Sequence, residues 1–146
     1  MFTTKRRIAA FFLAASMLCT LCACSKSKTD SASMYLKSKG YEVTMESDSD
    51  YPCFSAKDSS GLPNLSYVEC KDEEDALMLF ENDKEVIENS YSEVNTGNGE
   101  DSTYAYGEAD GVVCKTVVSG NVVVFVNYES GDEDTVNDLL RGMGIK

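Results

Sequence analysis

The segment from residue 112 to residue 128 constrains the fold more than any other part of the chain. Two valine-rich runs, Val112–Val118 and Val122–Tyr128, flank the turn residues Ser119-Gly120-Asn121. β-Branched runs on both sides of Gly-Asn turn chemistry are typical of a β-hairpin. Because residues 122–126 are apolar at every position, their strand must be central in a sheet or covered on both faces, since an exposed apolar edge would aggregate.

Shorter segments predict the remaining strands. Tyr41–Met45 and Leu65–Cys70 alternate apolar and polar residues, and further extended pieces are expected at Cys53–Ala56 and Thr103–Glu108. Asn95–Ser102 is rich in Gly, Asn and acidic residues, which predicts a loop.

Three segments favour helices: a short one from about Met34 to Gly40, a long one from Asp72 to Tyr91, and a last one from Asp132 to Met143. The long helix has one apolar stripe, predicted to face the core, and one charged face, predicted to be solvated. The stripe is Ala76, Leu77, Phe80, Ile87 and Tyr91, and the charged face is Glu81, Asp83, Lys84, Glu85 and Glu88. The order of helix, strands, long helix, β-hairpin and C-terminal helix predicts an α+β fold with two layers, an antiparallel sheet with helices packed on one face.

The N-terminus has the order of a secretory signal peptide. Basic residues 5–7 precede an apolar stretch up to about residue 21, and small residues then lead to a cysteine in Leu21-Cys22-Ala23-Cys24. This run resembles the lipobox of bacterial lipoproteins. The resemblance implies cleavage between Ala23 and Cys24, a diacylglycerol on the Cys24 thiol, and anchoring at the extracellular face of the cell membrane. The alternative is an uncleaved transmembrane anchor, but the stretch holds roughly 14 apolar residues where a spanning helix needs about 20.

This interpretation divides the chain into three parts. Residues 1–23 are the signal peptide, residues 24–33 are the lipidated cysteine and a flexible polar tether, and residues 34–146 form a single α+β domain. Loss of the three basic residues at 5–7 changes the formal charge from -12 to -15. So acidic a domain is not expected to bind nucleic acid, and its contact with the membrane is expected through the lipid on Cys24 alone.

Three further cysteines remain in the mature chain: Cys53, Cys70 and Cys114. Burial as reduced core residues is one interpretation of all three. The alternative for Cys53 and Cys70 is a disulfide, which would close a loop of roughly 17 residues and stabilise the fold by about 3 kcal/mol. Cys114 lies among valines and is predicted to serve packing.

The chain contains no histidine, which excludes Ser-His-Asp and Cys-His catalysis and imidazole-based metal sites as they are usually built. Acidic residues could hold calcium, and Asp48 and Asp50 are the best candidates, although no segment has the spacing of an EF-hand. Paired carboxylates could support a small surface hydrolase, but the sequence does not select a pair. No cofactor is predicted.

Parts of the chain resemble small uncharacterised lipoproteins of Gram-positive Firmicutes. The resemblance lies in Gly40-Tyr41-Glu42-Val43-Thr44, in the hairpin from Lys115 to Val126, and in the ending Leu139-Leu140-Arg141-Gly142-Met143-Gly144. It implies a location and a fold and provides no catalytic or binding residues.

The function expected from the sequence is that of a membrane-anchored, non-catalytic binding or accessory module, with a surface hydrolase or a calcium-dependent adhesion module as alternatives. Tyr51, Tyr104 and Tyr106, near the acidic loops, are candidates for a binding surface. The acidity of the domain favours a cationic peptide or protein as the ligand. The protein is expected to be a monomer.

Overall fold

The computed structural model describes residues 27–47 and 50–146, in which there are three helices and seven strands. In chain order these are helix α1 (Lys28–Ser38), strands β1 (Glu42–Glu46), β2 (Cys53–Lys57) and β3 (Asn64–Glu69), helix α2 (Glu73–Ser90), strands β4 (Val94–Asn98), β5 (Thr103–Ala109), β6 (Val112–Ser119) and β7 (Val122–Glu129), and helix α3 (Glu133–Gly142).

All seven strands form one antiparallel sheet in the order β1-β2-β3-β7-β6-β5-β4. The predicted hairpin is the pair β6 and β7, joined at Gly120, whose φ of 55° suits the tight turn. Strand β7 lies between β3 and β6 and is buried along almost its whole length, as the continuous apolar run of residues 122–126 predicted. The sheet has two ends, named here by their turns: the β6–β7 turn end and the β5–β6 turn end.

The helices are divided between the two faces of the sheet. Side chains of β6 alternate, so that Val113 and Val117 pack with α1 and α3 on one face, here called the front face. Cys114 and Val118 point to the back face, where they pack against α2. The predicted α+β class with an antiparallel sheet is confirmed. The number of layers differs from the expectation, because the valines of β6 and β7 are apolar on both sides and each side is covered by a helix.

Helix α1 begins earlier than the sequence indicated. The flexible tether predicted over residues 24–33 is wrong from Lys28 onward, since the first turns of α1 occupy that segment. Thr29 is 1% exposed, and its backbone N–H and hydroxyl donate to Glu69 Oε2 at 3.1 and 2.8 Å. Lys28 Nζ donates to Asn121 Oδ1 at 2.6 Å. These tertiary contacts order a polar segment that has too little apolar surface to order itself.

Two further local predictions are wrong. The segment predicted as a loop, Asn95–Ser102, contains most of the edge strand β4, which pairs with β5. On α2, Leu77 is 52% exposed, whereas Asp83, expected in water, is 7% exposed. The helix is rotated so that Leu79 and Asp83 face the sheet, while Ala76, Phe80 and Ile87 are buried as predicted.

Candidate functional site

A buried lysine lies at the centre of the front face. Lys115 is in the middle of β6, between the core residues Val113 and Val117, and is only 5% exposed. A lysine at such a position is rare, because taking an ammonium group out of water costs free energy unless partners replace the water. The partners of Lys115 therefore decide what the site can do.

In the described part of the chain the ammonium group of Lys115 has three partners, and its contacts with the two on α3 are long. It donates to Asn137 Oδ1 at 3.4 Å, lies 3.6 Å from Glu133 Oε1, and sits 4.7 Å from the centre of the Tyr104 ring. Glu133 and Asn137 are one turn apart on α3, so this helix supplies both. Burial lowers the pKa of Lys115, and the Glu133 carboxylate partly opposes that shift. An ammonium group held this loosely still has donor capacity for a ligand.

Lys115 lies in the wall of a cleft of about 520 Å³ between α3, the strands β5 and β6, and the β4–β5 loop. Its lining includes three cations, Lys115, Arg141 and Lys146, and, among the described residues, one acidic side chain, Glu100. Two of these cations are paired with acidic side chains of α3, Lys115 with Glu133 at 3.6 Å and Arg141 with Asp138 at 3.1 Å. The remaining lining is Gly99, Ser102, Tyr104, Val117, Asn137, Leu140 and Ile145. The lining itself has more cationic than acidic side chains, although the domain as a whole has a large excess of acidic residues, and part of its wall is apolar.

Hydrogen bonds fix the rim of the cleft. The backbone oxygen of Lys146 accepts from Ser102 Oγ at 2.5 Å and from the Asp101 N–H at 3.0 Å. Gly97 on β4 pairs with Tyr104 on β5, and a Cβ at Gly97 would overlap the tyrosine ring. The absence of a side chain at Gly97 makes room for the Tyr104 ring, which lines the cleft.

A second buried polar group lies under α2 on the back face, away from the cleft. Asp83 accepts a hydrogen bond from Thr116 Oγ1 at 3.2 Å, and burial raises the pKa of its carboxyl to about 7. Burial also raises the pKa of the nearby Cys114 thiol to about 12, although a hydrogen bond shared with Tyr91 acts in the opposite direction. A thiol of that pKa is protonated at neutral pH and is a poor nucleophile.

The structure brings two of the three candidate tyrosines together. The rings of Tyr104 and Tyr106 are 6.3 Å apart on the front face. Tyr51 is not with them, because its hydroxyl donates to Asp75 Oδ2 at 2.7 Å, in the first turn of α2. Of the three tyrosines predicted to form a binding surface, Tyr104 therefore lines the cleft, Tyr106 lies beside Tyr104, and Tyr51 lies elsewhere.

The other predicted site residues are placed as follows. Ala23, Cys24 and Asp48 lie outside the described residues. Asp50 is exposed, and within residues 27–47 and 50–146 no group of three or more Cys, Asp or Glu side chains is arranged to hold a metal ion. Cys53 pairs in register with Val68, and Cys70, one residue beyond the end of β3, is on the same back face. Their disulfide stays a prediction.

Lys115 is the residue that sequence reasoning missed as a site. The signal was present, because a lone lysine in the run Val112–Ser119 must point to one of two covered faces. The segment Gly111–Thr116 superficially matches a phosphate-binding loop, but it runs from a turn into strand β6 and no helix follows it directly.

No helix in the described part of the chain is long and apolar enough to cross a membrane. No protein-family model matches the chain, and no curated protein matches it. Its fold is similar to the crystal structure of a GTP binding regulator from Thermotoga maritima, with a TM-score of 0.54 and 14% sequence identity. The match covers 81% of this chain and 89% of the regulator. At this identity the similarity concerns the fold alone.

Proposed function

We propose that this protein is a lipid-anchored extracellular module that binds an anionic ligand in the cleft around Lys115, without catalysing a reaction. The observation that carries the proposal is the buried ammonium group of Lys115 in the wall of a cleft of about 520 Å³. Small-molecule sites are typically apolar cavities of this size with a few convergent polar groups.

The charged side chains that line the cleft determine whether it favours an anionic or a cationic ligand. Overall acidity favours a cationic ligand, but a ligand responds most strongly to the groups it touches, and here these are Lys115, Arg141 and Lys146. A carboxylate or phosphate near Lys115 Nζ would replace its long contact with Glu133 by a charge-assisted hydrogen bond. Val117, Leu140 and Ile145 offer an apolar surface to the rest of the ligand.

A non-catalytic role is supported by the residues available. The sequence has no histidine, and the cleft lining contains one carboxylate, Glu100, among the described residues. The pair of carboxylates that a glycosidase-type mechanism needs is therefore not assembled there. The regulator of similar fold is named for binding GTP, which makes phosphate-bearing compounds a reasonable first class of ligand to test.

Anchoring is supported by the sequence Leu21-Cys22-Ala23-Cys24 after a short apolar segment. Replacement of Cys24 by serine should release the protein from membranes and abolish incorporation of labelled palmitate. Retention of the Cys24→Ser variant in washed membranes would contradict lipid anchoring.

Ligand binding can be tested on the lipid-free mature chain, residues 24–146 with Cys24→Ser. Thermal-shift and calorimetric titrations would use pyrophosphate, GTP, an aromatic carboxylate and a cationic peptide. We expect an anion to bind, and Lys115→Met to weaken that binding about tenfold or more, in line with the loss of a charge-assisted hydrogen bond.

The matched control is Lys57→Met, since Lys57 is 53% exposed in its side chain and lies on β2 outside the cleft. It should leave anion binding unchanged. Binding of the cationic peptide alone, or equal effects of the two lysine variants, would contradict the proposed site.

A further inference from the structure

The start of α1 sets a limit on how the domain can sit at the membrane. The following inference rests on the lipid anchoring proposed above. Lys28 is the first residue of α1, so three residues separate it from Cys24. Four Cα-to-Cα steps of at most about 3.6 Å allow the start of α1 to rise about 14 Å above the lipidated cysteine.

The maximum distance of about 14 Å between Cys24 and the start of α1 is shorter than the radius of the domain. A compact unit of this length has a radius of gyration of about 13 Å, which corresponds to a sphere of radius about 17 Å. A tether extending to residue 33 would have reached about 35 Å, the full diameter, and would have allowed any orientation. With the shorter connection, the start of α1 must lie on the half of the domain that faces the membrane.

Hydrogen bonds join the start of α1 to the β6–β7 turn end of the sheet. Lys28 Nζ donates to Asn121 Oδ1 at 2.6 Å, and Thr29 bonds Glu69 at the end of β3. At the same end, Ser119 Oγ donates to the Asp101 backbone oxygen at 2.9 Å. Asp101 belongs to the loop that bonds Lys146 at the rim of the cleft. The start of α1 and the rim of the cleft are therefore at one end of the sheet.

We propose that the β6–β7 turn end of the domain faces the bilayer, so that the rim of the Lys115 cleft formed by residues 99–102 and Lys146 is held next to the lipid headgroups. The β5–β6 turn end, with the turn Asp110-Gly111, then points away from the membrane. A ligand of the cleft is bound at the membrane surface and not at the outer tip of the domain.

The two turns of β6 provide a matched test. They are about 30 Å apart, since a strand rises about 3.3 Å per residue. A short peptide epitope is inserted between Asp110 and Gly111 in one variant and between Gly120 and Asn121 in the other. Binding of a single-domain antibody is measured on cells stripped of their wall, relative to the same variant in detergent.

We expect full antibody binding at the Asp110 insertion and at least tenfold weaker binding at the Gly120 insertion. Lengthening the connection by 20 Gly/Ser residues after Lys26 should restore binding at the Gly120 insertion. Equal binding at both turns with the native connection would overturn the proposed orientation. Retention of Cys24→Ser in the membrane would instead overturn the anchoring, so the two failures are distinguishable.

A measurement without insertions covers the case in which an inserted variant does not fold. Native anchored protein is treated with an amine reagent coupled to a large dextran, and labelled lysines are identified by mass spectrometry. Labelling of Lys28 should be lower than in detergent, while labelling of Lys57, at the opposite end of the sheet, should not change. Equal labelling ratios for both lysines would also overturn the orientation.

Discussion

Replacement of Asp83 by asparagine should stabilise the protein at neutral and alkaline pH. Asp83 lies on α2 against the sheet, is 7% exposed, and has one hydrogen bond, from Thr116 Oγ1 at 3.2 Å. Burial raises the pKa of its carboxyl from the ordinary value of 3.8 to about 7, although the Thr116 hydrogen bond lowers it. An asparagine oxygen can accept the same hydrogen bond and carries no charge.

The magnitude follows from the difference in pKa between the unfolded and folded states. Well below the ordinary pKa of 3.8 the carboxyl is protonated in both states and has no pH-dependent effect. Between about pH 4 and pH 7 it ionises in the unfolded chain only, so the free energy of unfolding falls as pH rises. Three pKa units at 1.36 kcal/mol each give a penalty of about 4 kcal/mol above pH 7, as an upper limit.

Urea denaturation of the lipid-free mature chain at pH 4, 6 and 8 would measure this effect. In the Asp83→Asn variant, the free energy of unfolding should not show the decrease between pH 4 and pH 7 that ionisation of Asp83 causes. At pH 8 the free energy of unfolding of the variant should be about 2 to 4 kcal/mol higher than that of the native sequence. The control Glu85→Gln, at an exposed position of the same helix, should leave the pH dependence unchanged. If Asp83→Asn kept the native pH dependence, the assignment of a buried, protonated carboxyl at position 83 would be wrong.

Three further predictions concern the cleft, the α1–α3 contact and the back face. Lys115→Met should raise the free energy of unfolding by about 1 kcal/mol while weakening anion binding, because methionine fills similar space without a desolvated charge. Unchanged or lower stability of this variant in urea denaturation would contradict the prediction. Gly142→Ala should lower the melting temperature, since a Cβ at Gly142 overlaps the Tyr35 ring at a cost of about 1 to 3 kcal/mol, and Tyr35→Ala in the same chain should recover part of the loss. Cys114 should not react with iodoacetamide at pH 8 until urea is added, because it is buried and its thiol pKa is raised to about 12. Rapid alkylation of Cys114 in the folded protein, detected by mass spectrometry, would contradict its burial.

The parts of the fold that the sequence predicted correctly are those specified by local pattern. The β6–β7 hairpin follows from valines on both sides of Ser119-Gly120-Asn121, and α2 from its apolar stripe and its cap, where Asp72 accepts from the Asp75 N–H at 3.0 Å. Both signals lie within one segment and do not depend on the rest of the chain.

The parts that were predicted wrongly depend on distant contacts. The first turns of α1 contain Thr29 and Ala32, whose small side chains give no apolar signal, and they are fixed by Glu69, forty residues away. Strand β4 has a sequence of low β-propensity, Val-Asn-Thr-Gly-Asn, and forms because β5 offers an unpaired edge. Neither contact can be derived from the residues of one segment.

The candidate site was likewise predicted only in part from the sequence. Tyr104 was identified from its aromatic character near an acidic loop, and it does line the cleft. Lys115 was not identified, because its contacts with Glu133 and Asn137 depend on α3, which is distant from β6 in the sequence. The overall charge of the sequence favoured a cationic ligand, whereas the anionic ligand proposed above rests on the side chains that line the cleft.

The most direct test of the cleft is the titration of the Lys115 ammonium group by nuclear magnetic resonance. Burial lowers the pKa of Lys115, so in the lipid-free mature chain its side-chain signals should titrate below the ordinary range of a lysine. Addition of pyrophosphate, or of whichever anion binds most tightly, should raise the pKa of Lys115 and shift its signals, while those of Lys57 stay in place. Binding of the anion with no change at Lys115 would contradict the assignment of this cleft as the ligand site.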